Sequence, residues 1–216
     1  MTGTVVVFSG GLDSTVALAL AVQKSKQNVA AIAFDYAQRN YRELAAAREI
    51  ALHYGVSLHL CKLPKFGTSA LTDSRVPVPH AHIDDPSQSV VVVPNRNMVM
   101  LAHAAALAVA LQYDEVSMAI HVSEESLWTD SRPAFAKAMQ TATHEATGGK
   151  VAAVFPFVNV PKVQVVRQGA FLGVPFALTY SCWEGGQVHC GLCGTCRERR
   201  EAFEAAHYPD PTKYAT

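Results

Sequence analysis

A chain of 216 residues, half of them apolar and 17% charged, is long enough to bury a sizeable core, and we expect one domain spanning residues 1–216. Its 18 Lys and Arg balance its 18 Asp and Glu, so no overall field attracts a polyanion, and stable nucleic-acid binding is not expected. No apolar run approaches the roughly 20 residues of a membrane span, and residues 1–8 lack the pattern of a signal peptide; we therefore expect a cytoplasmic protein without membrane contact.

Strand-like and helix-like segments alternate along the chain. Short apolar runs predict strands at residues 5–8, 29–34, 56–60, 89–93 and 116–120. Periodic or Ala-rich stretches predict helices at residues 14–24, 40–55, 97–112 and 132–147. Residues 64–88, which carry four prolines, are predicted to be an inserted loop. Repeated strands with crossover helices predict a doubly wound α/β fold, with a parallel sheet of five strands covered by helices on both faces.

The segment SGGLDS, residues 9–14, directly follows the first predicted strand. In sheets of this kind, ligands bind beyond the carboxyl ends of the strands. Two glycines permit a tight turn and a close approach of backbone N–H groups to an anion, and the start of the next helix adds its positive end. The segment therefore predicts a phosphate-binding loop, in which Asp13 could also hold Mg²⁺. The alternative is an ordinary strand-to-helix turn capped by Ser or Asp.

Four of the five cysteines fall within 15 residues, in the segment SCWEGGQVHCGLCGTC at 181–196. The spacing of Cys182, Cys190, Cys193 and Cys196 predicts a tetrahedral Zn²⁺ site with a structural role in a tail at residues 180–208. A disulfide framework and an iron–sulfur cluster are the alternatives. The following RERR, residues 197–200, is predicted to be the solvated face of a helix, with an anion-contacting patch as the alternative.

SGGLDS after an apolar strand resembles the pyrophosphate loop of the N-type ATP pyrophosphatases, the PP-loop superfamily with an adenine nucleotide alpha-hydrolase-like fold. Together with FDYAQR at 34–39, VPNRN at 93–97 and the cysteine-rich tail, it resembles the 7-cyano-7-deazaguanine synthase family over nearly the whole chain. The resemblance implies an ATP-dependent ligase of queuosine-type biosynthesis that makes a nitrile from 7-carboxy-7-deazaguanine and ammonia, through acyl-adenylate and amide intermediates. It also implies a homodimer.

The resemblance further implies roles for individual residues. Asp13, Arg96 and Lys162 would act in the chemistry, with Arg96 on a phosphate or on the substrate carboxylate and Lys162 near the phosphates. Asn97 would cap the helix that follows it. ATP, with Mg²⁺, would be held by Phe8, Ser9, Gly10, Gly11, Leu12, Asp13, Ser14, Thr15, Phe34 and Asp35.

Two segments depart from the family's pattern. The family carries D-x-SGYPDCR where this chain has ESLWTDSR at 125–132, with Ser126, Asp130 and Arg132 still in register. It also favours an acidic residue where this chain has Gln164. The alternatives are therefore a PP-loop enzyme that adenylates a related deazapurine, a tRNA base or a protein carboxylate, and a nucleotide-binding module without catalysis.

Overall fold

A parallel β-sheet with α-helices on its two faces makes up the fold. The computed structural model describes residues 2–25, 28–65, 68–120 and 127–216. Its strands are Thr4–Val7 (β1), Val29–Asp35 (β2), Ser57–Lys62 (β3), Glu115–Met118 (β4) and Ala152–Val154 (β5). Its α-helices are Leu12–Ser25 (α1), Arg42–Tyr54 (α2), Arg96–Leu111 (α3), Pro133–Ala146 (α4), Lys162–Phe171 (α5) and Gly194–Ala206 (α6). In the described residues, none of these helices is long and apolar enough to span a membrane.

The strand order β3-β2-β1-β4-β5, with every neighbouring pair parallel, confirms the predicted fold class. β1 lies at the centre and is fully buried, which agrees with its near-continuous run of valines. α1 packs against α2, and α3 packs against α4. Because crossover connections are right-handed, the two pairs of helices cover opposite faces of the sheet.

One of the five predicted strands is wrong, and another segment supplies the fifth. Residues 89–93 do not join the sheet, because a 3-10 helix at Pro86–Val91 takes up most of them. Asp85 caps this helix by accepting the N–H of Ser87 at 2.9 Å, and Pro86 presets its first turn. Val91, in this helix, and Val93, just after it, are buried in the core, while Val90 is exposed. The fifth strand is β5, which pairs with β4.

The order of the strands places a crevice between β1 and β4. From β1 the chain winds outward through β2 to β3, and it then returns through α3 to β4 on the other side of β1. Such a reversal opens a crevice at the carboxyl ends of the two central strands, where ligands of doubly wound sheets bind. The segment after α5 closes back on this edge, because the Tyr180 N–H donates to the Gly10 carbonyl at 2.9 Å.

Candidate active site

The SGGLDS loop makes its turn at Gly10, whose φ of +81° lies in the left-handed region. α2 approaches the loop so closely that a Cβ at this position would lie 2.5 Å from the Glu43 carbonyl oxygen and 2.6 Å from the Ala47 nitrogen. Both the backbone conformation and the contact therefore require glycine. The turn delivers the chain directly into α1, so the loop lies at the N-terminus of a 14-residue helix.

Hydroxyl groups hold the loop in shape. The Ser9 Oγ accepts the Gly11 N–H at 3.2 Å and lies 3.1 Å from the Ser14 Oγ. The hydroxyls of Ser14 and Thr15 both donate to the Gly11 carbonyl, at 3.1 and 2.7 Å. The loop is thus preorganised, with small polar side chains around a helix N-terminus, which suits it to bind an anion.

A cavity of about 290 Å³ opens at the crevice between β1 and β4. Phe34, Arg96 and Lys162 line it, as the predicted site requires. Among the described residues, Gly10, Thr15 and Asp35 do not line it; the Asp35 carboxylate accepts the N–H of Ala37 at 3.2 Å. Six further predicted nucleotide-binding residues line the cavity, namely Phe8, just before the loop, and the loop residues Ser9, Gly11, Leu12, Asp13 and Ser14.

Lys162 lies between two carboxylates in this cavity. Its Nζ is 2.6 Å from the Asp13 Oδ2 and 3.1 Å from the Glu198 Oε2. Burial alone would lower the pKa of Lys162, but the two carboxylates more than offset it and the pKa is raised, so the ammonium form is secured. Glu198 was not predicted as a site residue. It lies 36 residues after Lys162 in the sequence, and the packing of α6 on α5 brings the two together.

The first residue of α3, Arg96, is fixed by an aromatic neighbour. Its Nη1 donates to the Tyr36 hydroxyl at 3.1 Å, and its guanidinium carbon lies 5.9 Å from the centre of that ring. Asn97 does not cap the helix, contrary to the prediction. Instead the Asp130 carboxylate accepts the Asn97 N–H at 2.9 Å, and the Asn97 amide donates to the Asp130 carbonyl at 3.0 Å. An acidic side chain that accepts a first-turn N–H satisfies the helix end as a cap would.

A buried carboxylate, Glu43, lines the same cavity and was not predicted. The side-chain amides of Gln38 and Asn40 donate to its two oxygens at 3.0 and 2.5 Å. Burial raises the pKa of Glu43 to about 7, and the nearby Arg96 and the two amides only partly offset this effect. The segment FDYAQRN therefore does more than end β2, since its polar residues surround a carboxylate that titrates near neutral pH.

The four predicted metal ligands come together in the tail. The Sγ atoms of Cys182, Cys190, Cys193 and Cys196 all lie within 4.8 Å of one another, and those of Cys190 and Cys196 are 3.9 Å apart. Bonds of about 2.3 Å to one tetrahedral ion place sulfurs about 3.8 Å apart, so the donor set fits a single ion, whereas a cluster of several irons would hold its thiolates farther apart. All five cysteines of the chain are free thiols, so the disulfide alternative is wrong.

Backbone groups support the sulfur cluster. The N–H groups of Leu192 and Cys193 both donate to the Cys190 Sγ at 3.3 Å, and the Cys190 N–H donates to the Cys182 Sγ at the same distance. Such bonds stabilise thiolates and orient them towards a common centre. His189 lies outside the cluster, with its Nε2 accepting the Ser181 N–H at 3.2 Å.

The prediction that RERR forms a solvated face is wrong for Arg199, which is 1% exposed. Its Nε donates to the Asp210 carboxylate at 3.2 Å, and its Nη1 donates to the Thr179 hydroxyl at 2.8 Å. Its guanidinium also lies over the Phe203 ring, 4.9 Å from the ring centre. A buried arginine is tolerated here because its N–H groups are hydrogen-bonded and its guanidinium packs on an aromatic ring.

Comparison with known proteins places the chain in a family. The model of the family described as "Queuosine biosynthesis protein QueC" matches residues 3–207. The chain belongs to the QueC family. A 7-cyano-7-deazaguanine synthase of Rhizobium leguminosarum bv. trifolii is 43% identical over 98% of this chain and 91% of its own length. One of Ruegeria pomeroyi is 44% identical over 98% of this chain and 94% of its own length.

A solved structure shares the fold. The NMN synthetase of Francisella tularensis superposes with a TM-score of 0.51 at 18% identity, covering 96% of this chain and 78% of that one. The chain therefore shares its fold with this NMN synthetase. Its departure from the family pattern, ESLWTDSR, bears on the site, because Trp128 and Ser131 line the cavity. Ser126 of the same segment lies outside the described residues.

Proposed function

We propose that the protein converts 7-carboxy-7-deazaguanine and ammonia to 7-cyano-7-deazaguanine at the expense of ATP. The observation that carries the proposal is that the SGGLDS loop, Arg96 and Lys162 meet in one cavity of a chain that belongs to the QueC family. An ammonium group and a guanidinium beside an anion-binding loop suit a reaction in which negative charge moves between carboxylate and phosphate oxygens.

The proposed reaction uses ATP twice, each time to activate an oxygen atom of the substrate. A carboxylate oxygen of the base attacks the α-phosphorus of ATP and pyrophosphate leaves; ammonia then attacks the acyl carbon, AMP leaves, and a proton is lost as the amide forms. A second ATP is attacked by the amide oxygen, again with loss of pyrophosphate. The bond between the amide carbon and that oxygen then breaks, so AMP departs with the former amide oxygen, and loss of both amide protons leaves the nitrile. AMP is the required leaving group because the bare amide oxygen would depart as a far stronger base.

The phosphate loop would bind the leaving pyrophosphate. Ser9, Gly10, Gly11, Asp13 and Ser14 would surround it, with Lys162 donating to oxygens that gain charge as the bond to the α-phosphorus breaks. In this role the two carboxylates on Lys162 keep it protonated and extended towards the loop. Phe34 would complete the nucleotide site at the end of β2, while Thr15 and Asp35, which do not line the cavity, would hold the backbone around it.

Arg96 would bind the substrate carboxylate or the α-phosphate. Its contact with Tyr36 restricts the guanidinium without neutralising it, so the positive charge remains available to an anion. Its position at the start of α3 adds the positive end of that helix to the same region.

Several further properties belong to the proposal. The metal is zinc, which four thiolates hold without an open coordination position, so its role is structural. Mg²⁺ accompanies ATP. The protein acts in the cytoplasm as a single domain on small molecules, and it forms a homodimer.

The test is formation of pyrophosphate and AMP from ATP, with 7-carboxy-7-deazaguanine and ammonium present together or omitted in turn, while the base is followed by mass. We expect ATP cleavage that depends on the base, and masses of first the amide and then the nitrile. Lys162→Ala should reduce the rate by roughly 100-fold or more, whereas Lys137→Ala, a change at an exposed lysine of α4, should leave it unchanged. ATP cleavage that does not respond to this base would refute the substrate assignment.

A further inference from the structure

Two indole side chains line the candidate cavity together. Trp128 follows the segment after β4, and Trp183 follows the metal ligand Cys182, yet their ring centres are only 6.3 Å apart, with planes inclined at 42°. The rings are too close and too inclined to admit a third ring between them. They therefore form one apolar wall of the cavity, and we call this pair the tryptophan wall.

The backbone on each side of the tryptophan wall is anchored. Trp128 immediately precedes a 3-10 turn, Thr129–Ser131, whose last residue accepts the Asn97 amide at 2.9 Å through its Oγ. Trp183 packs so tightly on the start of α6 that a Cβ at Gly194 would lie 3.1 Å from its ring. An aromatic surface on anchored segments loses little conformational freedom when a planar ligand packs on it.

Polar groups of complementary type line the same cavity. The Glu43 carboxylate is a hydrogen-bond acceptor, and Arg96 is a donor. A planar heterocycle with N–H groups and a carboxylate on its rim could contact the wall with its face and these groups with its edge. Adenosine is proposed to lie at the end of β2 beside Phe34, so the wall is left for the other planar reactant.

We propose that the tryptophan wall is the stacking surface for the deazapurine base, and that Trp128 helps determine which base is accepted. This inference rests on the proposed function for the identity of the base. Trp128 stands where the family pattern, aligned through Asp130 and Arg132, has tyrosine, so the stacking surface here is larger than the pattern implies. Aromatic stacking on a base is sequence-tolerant in general, but the area of the ring sets its strength.

The protein offers a direct optical test, because Trp128 and Trp183 are its only two tryptophans. Intrinsic fluorescence would be titrated with 7-carboxy-7-deazaguanine, with and without α,β-methylene-ATP, whose α–β linkage cannot be cleaved. We expect saturable quenching by the base and a dissociation constant raised roughly 5- to 150-fold by Trp128→Ala, as stacking on one base predicts. Trp128→Tyr should recover most of the affinity.

Controls separate stacking from folding and from adenosine binding. Phe171→Ala removes an aromatic ring that is 86% exposed, and it should leave the dissociation constant unchanged. Binding of the base would also be measured by calorimetry, and helix content by circular dichroism. Equal quenching by AMP alone would assign the wall to adenosine and overturn the inference.

The same samples are assayed for turnover, which distinguishes the two proposals. If the nitrile forms but Trp128→Ala changes neither the dissociation constant nor KM, the tryptophan wall does not bind the base, while the proposed function stands. If the base quenches and binds but is not converted, the wall is supported and the proposed function fails. If the base neither binds nor reacts, both are refuted.

Discussion

Glu43 makes the stability of the fold depend on pH in a way that one substitution can isolate. A carboxyl group whose pKa rises from 4.5 unfolded to about 7 folded opposes folding by about 3 kcal/mol once it is ionised in both states. The sign of this effect follows from the raised pKa, because the folded state binds the proton more tightly than the unfolded state. Below pH 4.5 Glu43 is neutral in both states and imposes no penalty, and the penalty grows as pH rises towards 7. Between pH 5 and pH 8 the penalty should increase by about 2–3 kcal/mol.

Glu43→Gln removes this titration and should flatten that part of the profile. The glutamine NH₂ would face an amide donor of Gln38 or Asn40, which adds an offset that does not vary with pH. The informative quantity is therefore the variant's free energy of unfolding minus that of the wild type, from urea titrations at each pH. This difference should rise by about 2–3 kcal/mol from pH 5 to pH 8.

The control is Glu49→Gln, the same chemical change at an exposed position of the same helix, measured over the same pH range. The cysteines are the same in all three proteins, so their contribution to the pH dependence cancels in the difference between variant and wild type. Parallel profiles for the wild type and Glu43→Gln would refute the reasoning, since Glu43 would then ionise in the fold as easily as in the unfolded chain.

Three further substitutions test the metal site, the buried ion pair and the loop. Cys193→Ser should abolish binding of one metal ion per chain and lower Tm, whereas Cys61→Ser should retain the ion, as measured by elemental analysis and thermal unfolding. Arg199→Met leaves Asp210 without its buried partner and should lower the free energy of unfolding by about 3 kcal/mol; a change below 1 kcal/mol would contradict the burial of the pair. Gly10→Ala should cost at least about 1–2 kcal/mol from its positive φ alone, and normal ATP binding by that variant would contradict the described loop.

The elements that sequence predicted well are those whose burial is dictated by local pattern. The helix expected at residues 14–24 is α1, Leu12–Ser25, and the strand expected at 29–34 is β2. The four cysteines were also predictable, because their short spacing leaves little freedom in how they meet. In contrast, the valine run at 89–93 was predicted to be a strand because of its composition. Asp85 and Pro86, just before it, instead favour the start of a helical turn. β5 has only three residues, too few to show a period.

The unpredicted part of the site depends on contacts between distant segments. Glu198 and Arg199 lie on a strongly polar helix, and only the docking of α6 turns one towards Lys162 and the other towards Asp210. Glu43 belongs to an amphipathic helix whose N-terminus is covered by the phosphate loop, as the contact with Gly10 demonstrates. Such pairings carry no local signal, since each residue taken alone is typical of a solvated surface.

The hydrogen bond from Tyr180 to Gly10 joins the cysteine-rich segment to the phosphate loop, and Glu198 reaches Lys162 from two residues beyond Cys196. During synthesis the loop emerges early, but the residues that complete its surroundings emerge after β5. The surroundings of the phosphate loop are therefore complete only after the cysteine-rich segment has been synthesised and has folded. Binding of a metal ion by the four cysteines, which belongs to the proposed function, would then link the supply of that metal to completion of the proposed ATP site.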